Sequence, residues 1–179
     1  SRVEQESRDI RSFYLQPADG SAITFAPGQH IPLRLPLDAQ SSVIRTYSLS
    51  SAPSDGYLRI SVKQQGAASR YLHEQVGVGA VLHVRQPMGS FKLDSSSERP
   101  LVLIAAGVGI TPLLAMLREQ LALSARRSIY LFQGARSLAE LPFGQELSAL
   151  QQQAGDRLHL YRALSQPEAQ AVLGQDFEM

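Results

Sequence analysis

The longest uncharged run in the chain, residues 100–117, lies between Arg99 and Arg118 and reads "PLVLIAAGVGITPLLAML". Its length approaches that of a membrane span. Gly107, Gly109, Thr111 and Pro112 sit near its middle, however, and divide it into a strand, a turn and the start of a helix. "LVLIAAG" is the continuous apolar type of strand that a parallel sheet buries. "PLLAMLREQLALS" follows with Leu113, Leu117 and Leu121 on one helical stripe. Then come a strand "SIYLFQGAR", a helix "FGQELSALQQQ" and a strand "RLHLYRALS". The strands fall near 101–106, 128–133 and 158–163. Alternation of this kind predicts parallel pairing through right-handed crossovers, the first half of a doubly wound α/β fold.

Upstream of "LDSSSERP", a polar connector over 93–100, the period is different. "SFYLQPADG", "PGQHIPLRLPL", "IRTYSLSSAP", "YLRISVKQQ" and "AVLHVRQP" are short alternating segments closed by turn residues. Ile31, Leu33, Leu35 and Leu37 share one face. Short strands at this spacing predict an antiparallel barrel or sandwich. One helix, "SRYLHEQV", interrupts them, with Ser69 as its expected N-cap. The chain therefore reads as two domains, with no internal repeat.

Composition narrows the function. Seventeen Lys+Arg against 16 Asp+Glu give a formal charge of +1, which is no footprint for nucleic acid or an anionic membrane. There is no Cys, which excludes disulfides and Cys-ligated zinc or iron–sulfur clusters within these residues. His30, His73, His83 and His159 are scattered without metal-ligand spacing. A 44% hydrophobic content is enough for sizeable cores. No signal peptide is visible at the start.

Three segments carry chemistry. In "RTYSLSSAP", residues 45–53, Arg45 and Tyr47 are two apart in a strand and project to one face. A fixed cation beside an aromatic plate suits a ligand with a phosphate and a planar ring. A surface ion pair on an edge strand accounts for the same residues. In "GAASRYLHEQ", residues 66–75, small residues lead into a helix N-terminus, which suits an anion or is ordinary turn chemistry. In "AAGVGITP", Gly107 permits a tight turn and Gly109 a close approach to the main chain. Thr111 reads as an N-cap and Pro112 as the first helical residue. The positive end of a helix faces that turn. A capped helix after a buried strand is the alternative.

Taken together and in this order, the segments resemble the ferredoxin–NADP reductase-like flavoproteins, and most closely the reductase part of flavohaemoglobins and related oxygenase reductases. "RTYSLSSAP" resembles the family's R-x-Y-S-L-S flavin motif. "GAASRYLHEQVGVGAVLHVRQPMGSFKL" resembles the segment after it, "LIAAGVGITPLLAML" the pyridine-nucleotide segment, and "FAPGQHIPLRL" the F-x-P-G-Q strand. The resemblance implies an FAD-binding antiparallel β-barrel over 1–93, a linker over 94–99 and an NAD(P)-binding doubly wound domain over 100–179. By implication, Arg45 meets flavin phosphate, Tyr47 stacks on the isoalloxazine, and Ser48 hydrogen-bonds near N5, so that Tyr47 and Ser48 are the catalytic pair. Val62, Gly66, Ala68 and Ser69 belong to the flavin side, with Ala68 and Ser69 donating to the pyrophosphate. Gly107, Gly109, Ile110, Thr111 and Pro112 hold the nicotinamide dinucleotide. His30 stands where relatives often have Tyr after G-Q.

FAD is favoured over FMN. NADH and NADPH are both open: Arg136 reaches a ribose 2′-phosphate or is a solvated loop arginine. The implied activity is NAD(P)H-dependent flavin reduction in the cytoplasm, with electrons passed to a haem globin, an iron–sulfur protein or an oxygenase outside the chain. A non-catalytic flavin-binding or docking module is the alternative. The family continues with two further parallel strands, one ending in a C-G-P-like motif. The chain is therefore expected to be a fragment holding three parallel strands only.

Overall fold

The computed structural model describes residues 2–36, 40–123 and 127–166, together with the backbone of 176–178. Leu37 and most of the tail after Gln166 lie outside these residues.

The N-terminal half is antiparallel. Strands β1 (Arg2–Ser7), β2 (Ile10–Leu15) and β5 (Leu58–Lys63) form one sheet in the order β1-β2-β5. Strands β3 (His30–Pro36), β4 (Ser42–Ser48) and β6 (His83–Val84) form a second, in the order β4-β3-β6. Helix α1 (Ala67–Gln75) lies between β5 and β6 in sequence. The alternation predicted for "HIPLRLP" holds: Ile31, Leu33 and Leu35 are fully buried. They meet Phe13, Leu49, Leu58, Ile60 and Leu72 in one apolar cluster. The β1 strand, "RVEQES", has exposed or half-buried side chains throughout. Its polar sequence carries no strand signal because only Val3, half-buried, packs against the core.

The C-terminal half is a parallel sheet. Strands β7 (Leu101–Ala106), β8 (Ile129–Ala135), β9 (Leu158–Leu164) and β10 (Asp176–Glu178) lie in the order β10-β9-β8-β7. The three expected parallel strands pair as read, and a short fourth joins them: Asp176–Glu178 pairs in parallel with Arg162–Leu164. A strand of 3 residues is too short for a periodic signal. Helices α2 (Ile110–Ala122) and α3 (Gly144–Ala154) are the crossovers. Both crossovers step the same way across the sheet, so right-handedness puts both helices on one face. Leu103, Leu131 and Leu158 are buried beneath them with Leu114, Leu117 and Leu147. Val102, Ile104 and Phe132 alternate to the other face and are exposed.

The two apolar clusters share no residue, and charged side chains meet at the seam between them. Gly28 marks one close approach across it. Its φ is +99°, and a Cβ there would collide with the Met116 side chain of α2 and the Phe91 carbonyl. That is the physical content of the glycine in "FAPGQ".

Candidate functional site: the flank of β4 and two helix starts

β4 is paired along its length on one side only, with β3. Its nearest tie to β5 is the single bridge Leu49↔Ile60, beyond the end of the strand. The register sets Arg45 opposite Leu33 and Tyr47 opposite Ile31. Cross-strand partners share a face, so Arg45 and Tyr47 point together, as i and i+2 require. Leu33 is fully buried while Arg45 is exposed. The inner face is therefore uncovered along the β4 flank.

Arg45 donates only to the carbonyl of Ile44, at 3.0 Å, and has no carboxylate partner among the described residues. Among the described residues, the surface ion pair that would have explained it as structural is not formed. Tyr47 is half-buried against the barrel cluster. Burial pushes its phenol pKa up, and Arg45 opposes the shift. At the base of the strand Ser48 is half-buried and pairs with His30. The His30 ring lies over Gly89, where a Cβ would stand 2.9 Å from Nδ1. Gly89, with φ +118°, leaves the room that this ring occupies.

At the start of α1 one expectation is corrected. The N-cap is Gly66, and Ser69 is the third helical residue. Ser69 still serves the cap, by reaching backwards. Its hydroxyl accepts the N–H of Gln65 and of Gly66, both at 2.9 Å, and donates to the Gly66 carbonyl at 3.0 Å. A hydroxyl has one proton. That proton goes to the Gly66 carbonyl, and Ser69 shapes the helix start. Ala68 is 8% exposed and offers main chain only. Val62 is in the core, and its carbonyl is engaged by His73 Nε2 at 2.7 Å. A Cβ on Gly66 would meet nothing within 4 Å, so the approach is open.

At the glycine turn the predicted cap also moves. Gly107–Gly109 forms a short 3-10 turn, and Gly109 is the N-cap of α2. Thr111 is inside the helix, where its hydroxyl donates to the Val108 carbonyl at 3.0 Å. Pro112, in the first turn, lacks only an N–H that has no helical partner. Ile110 and Thr111 are buried, so their side chains anchor the helix start. Gly107 has φ +52°, which only glycine adopts easily. A Cβ on Gly107 or Gly109 would meet nothing within 4 Å. The turn is thus an open backbone cradle at the positive end of a 13-residue helix. Arg136 follows β8, is exposed, and makes no ion pair among the described residues. Its carbonyl accepts the N–H of Gln166 at 2.7 Å.

The residues therefore offer groups that suit phosphate and a planar ring. One uncommitted guanidinium and one aromatic plate share a flank, and two helix starts open to solvent over glycine. Residues 1–93 match the family model described as oxidoreductase FAD-binding domain, and residues 103–175 match the oxidoreductase NAD-binding domain. This chain belongs to the ferredoxin–NADP reductase-like flavoproteins.

Its place in the family is on the reductase side of the flavohaemoproteins. A flavohemoprotein from Pseudomonas aeruginosa is 51% identical over 124 residues, covering 68% of this chain and 31% of that protein. One from Oceanobacillus iheyensis is 43% identical over 142 residues, covering 75% and 35%. The crystal structure of the flavohem-like FAD/NAD binding domain of nitric oxide dioxygenase from Vibrio cholerae superposes with a TM-score of 0.87. It is 35% identical, with 99% of this chain and 76% of that chain covered. The chain spans about a third of the length of the two curated relatives named here. No helix among the described residues is long and apolar enough to cross a membrane.

Sequence reasoning missed a cluster of charges in the seam. Arg59 on β5 is 2% exposed, yet it pairs with Glu146 on α3. In "YLRISVK" Arg59, Ser61 and Lys63 alternate and read as a solvent face. Nothing in that pattern says that a second domain covers it.

Proposed function

We propose that this chain is an NAD(P)H-dependent FAD reductase module whose electrons pass to a haem acceptor outside it. When bound, FAD accepts a hydride from the reduced nicotinamide, which is thereby oxidised, and releases the two electrons one at a time. The observation that carries the reading is the uncommitted Arg45 beside Tyr47 on an uncovered flank, in a chain whose other half opens a glycine turn at a helix start.

In this reading Arg45 binds flavin phosphate by a charge-assisted bond. Tyr47 presents its face to the ring. Ser48 stands at the foot of the same strand, where its hydroxyl is placed to hydrogen-bond the reacting edge. The main chain at Gly66–Ala68 holds the pyrophosphate, with Ser69 as its internal brace. His30, in place of a tyrosine, closes the lower end. The Gly107–Pro112 turn takes the nicotinamide nucleotide by backbone N–H groups. Arg136 distinguishes NADPH from NADH if it reaches the 2′-phosphate. The boundary between the halves falls in the polar segment 94–99. The acceptor is a haem protein, in keeping with the flavohemoproteins that the chain resembles, and the site of action is the cytoplasm. An iron–sulfur or oxygenase acceptor is the second choice. The non-catalytic alternative is not favoured, since both family models are those of oxidoreductase domains.

Stopped-flow mixing of the FAD-loaded chain with NADH or NADPH tests the reading. Bleaching of the flavin band is expected. Ser48→Ala is expected to slow that bleaching far more than it weakens FAD binding, because its bond matters where charge changes. Retention of FAD with no reduction by either nucleotide would make the chain a binder only.

A further inference from the structure

The seam between the halves carries a closed cluster of two cations and two carboxylates. Arg59 Nη1 meets Glu146 Oε2 at 2.7 Å and its Nη2 meets Oε1 at 3.2 Å, a bidentate fork. Arg118 on α2 makes a second fork to Asp55, Nε to Oδ2 at 2.9 Å and Nη2 to Oδ1 at 2.6 Å. Arg118 Nη1 then joins Glu146 Oε1 at 2.5 Å. The charges cancel. Arg59 and Asp55 belong to the barrel, and Arg118 and Glu146 to the α/β half. Burial pulls the Arg59 pKa down, but Glu146 outweighs it and the net shift is upward, so the guanidinium stays charged.

Each end of the cluster is tied to an element that bears ligand groups. Arg59 donates to the Ser50 hydroxyl at 3.1 Å and to the Ser50 carbonyl at 2.8 Å. The Ser50 N–H returns a bond to the Arg59 carbonyl at 2.7 Å. Asp55 Oδ2 also accepts the Ala52 N–H at 2.7 Å. The segment just after Arg45, Tyr47 and Ser48 is thereby fixed to the cluster. On the other side, α2 begins at the glycine turn and carries Arg118 two turns along. Phe143, which caps α3 in a left-handed conformation with φ 61°, lies 5.3 Å beneath the Arg59 guanidinium.

We propose that Arg59, Glu146, Arg118 and Asp55 form an inter-domain clasp that sets the glycine turn against the flavin strand. They are positioning residues for flavin reduction, and this rests on the reductase reading above. Buried ion pairs add little net stability compared with apolar contacts, but forked bonds fix orientation. Apolar contacts across the seam would hold the halves together and let them slide. A reaction between ligands on two domains does not tolerate sliding, because a misplacement of about 1 Å costs on the order of a hundredfold in rate.

The absence of Cys allows the clasp to be tested without relying on turnover. Spin labels on Glu74→Cys in α1 and Gln151→Cys in α3, both exposed positions, report the inter-domain distance. Labels on Glu74→Cys and Asp19→Cys report the barrel alone. Arg118→Gln is expected to broaden or shift the inter-domain distribution and leave the barrel distribution unchanged, with Arg118→Lys closer to the parent. In the FAD-loaded chain the limiting rate of reduction by saturating NADH is expected to fall at least about tenfold, with FAD affinity held. Asp55→Asn, nearly isosteric, carries the same test should Arg118→Gln fail to fold. An inter-domain distribution superimposable on the parent's overturns the clasp whatever the rate does, as does a parent distribution already as broad as the variant's. If the parent is not reduced at all, the reductase reading falls, and the distance distributions alone decide the clasp.

Discussion

At the start of α1 a side chain closes the turn, and at the start of α2 none does. Ser69 turns back from the third helical position and takes the N–H groups of Gln65 and Gly66 onto its hydroxyl. Thr111, near the start of α2, turns its hydroxyl to a carbonyl, that of Val108. No side-chain oxygen caps the amides of the Gly107–Gly109 turn. The first start is braced by its own chemistry. The second is held by the helix behind it, where Ile110, Leu114 and Leu117 are fully buried. The difference fits the two proposed ligands: a flavin that stays, and a nucleotide that must leave after each turnover.

The largest effect should separate the two sites. Arg45→Ala removes the cation on the β4 flank and nothing from the fold, since Arg45 supports only the Ile44 carbonyl. A charge-assisted bond to phosphate contributes about 1.5–3 kcal/mol, or roughly one to two decades in affinity. FAD titration should show that loss, with the melting temperature unchanged and the apparent KM for NADH held in FAD-saturated protein. FAD binding equal to the parent's would leave the α1 start without its cationic partner and break the comparison.

Gly107→Ala comes next and should act on stability. At φ +52° an alanine carries a left-handed conformation that costs about 1–2 kcal/mol. Space is not the cause, because the Cβ would meet nothing within 4 Å. Thermal unfolding should shift downward. No shift would show that the turn relaxes freely, and the α2 start would then be softer than its buried helix implies.

Much of this was legible in the sequence, and the misses have one physical pattern. The change of period near residue 100 gives both fold types, because the side chains that bury themselves are the ones with a period. Arg45 and Tyr47 point the same way, as read, because alternation in a strand survives folding. The cap assignment at Ser69 failed because a hydroxyl serves a helix start from the N-cap or from the third residue, and composition does not tell the two apart. That at Thr111 failed because the Gly107–Gly109 turn starts the helix earlier, at Ile110, and the Thr111 hydroxyl goes to the Val108 carbonyl. β1 and β10 carry no pattern: one has a single apolar residue, Val3, and the other is 3 residues long. Arg59 was unreadable because its partner, Glu146, is 87 residues away on another domain. A buried charge looks like a surface charge until its partner is in place.

Ser69→Ala sharpens the comparison from the braced side. It leaves the Gln65 and Gly66 N–H groups without their acceptor at a residue only 8% exposed. Loss of such a cap costs typically about 1 kcal/mol. Melting temperature and FAD affinity should both fall modestly, the affinity by less than in Arg45→Ala. A drop in affinity as large as that of Arg45→Ala, with stability held, would mean that the hydroxyl touches the ligand directly.

Gly109→Ala has the smallest effect and the most informative sign. Gly109 sits at φ −61° and ψ −12°, a conformation that alanine adopts without strain. A Cβ there has nothing within 4 Å, so nothing in the protein resists it. Removing a glycine at a compatible position stabilises by about 0.4–1 kcal/mol, through a less free unfolded chain. The melting temperature should therefore rise slightly, opposite to Gly107→Ala two residues away. The empty space over Gly109 is also where the proposed nucleotide phosphate approaches the helix start. A methyl group there should raise the apparent KM for NADH while FAD content stays at the parent's level. Stability and nucleotide binding would then move in opposite directions at one atom, which structural damage does not produce. A variant that is more stable and binds NADH as the parent does would show that the α2 start is open to solvent only, and that the nucleotide is held elsewhere.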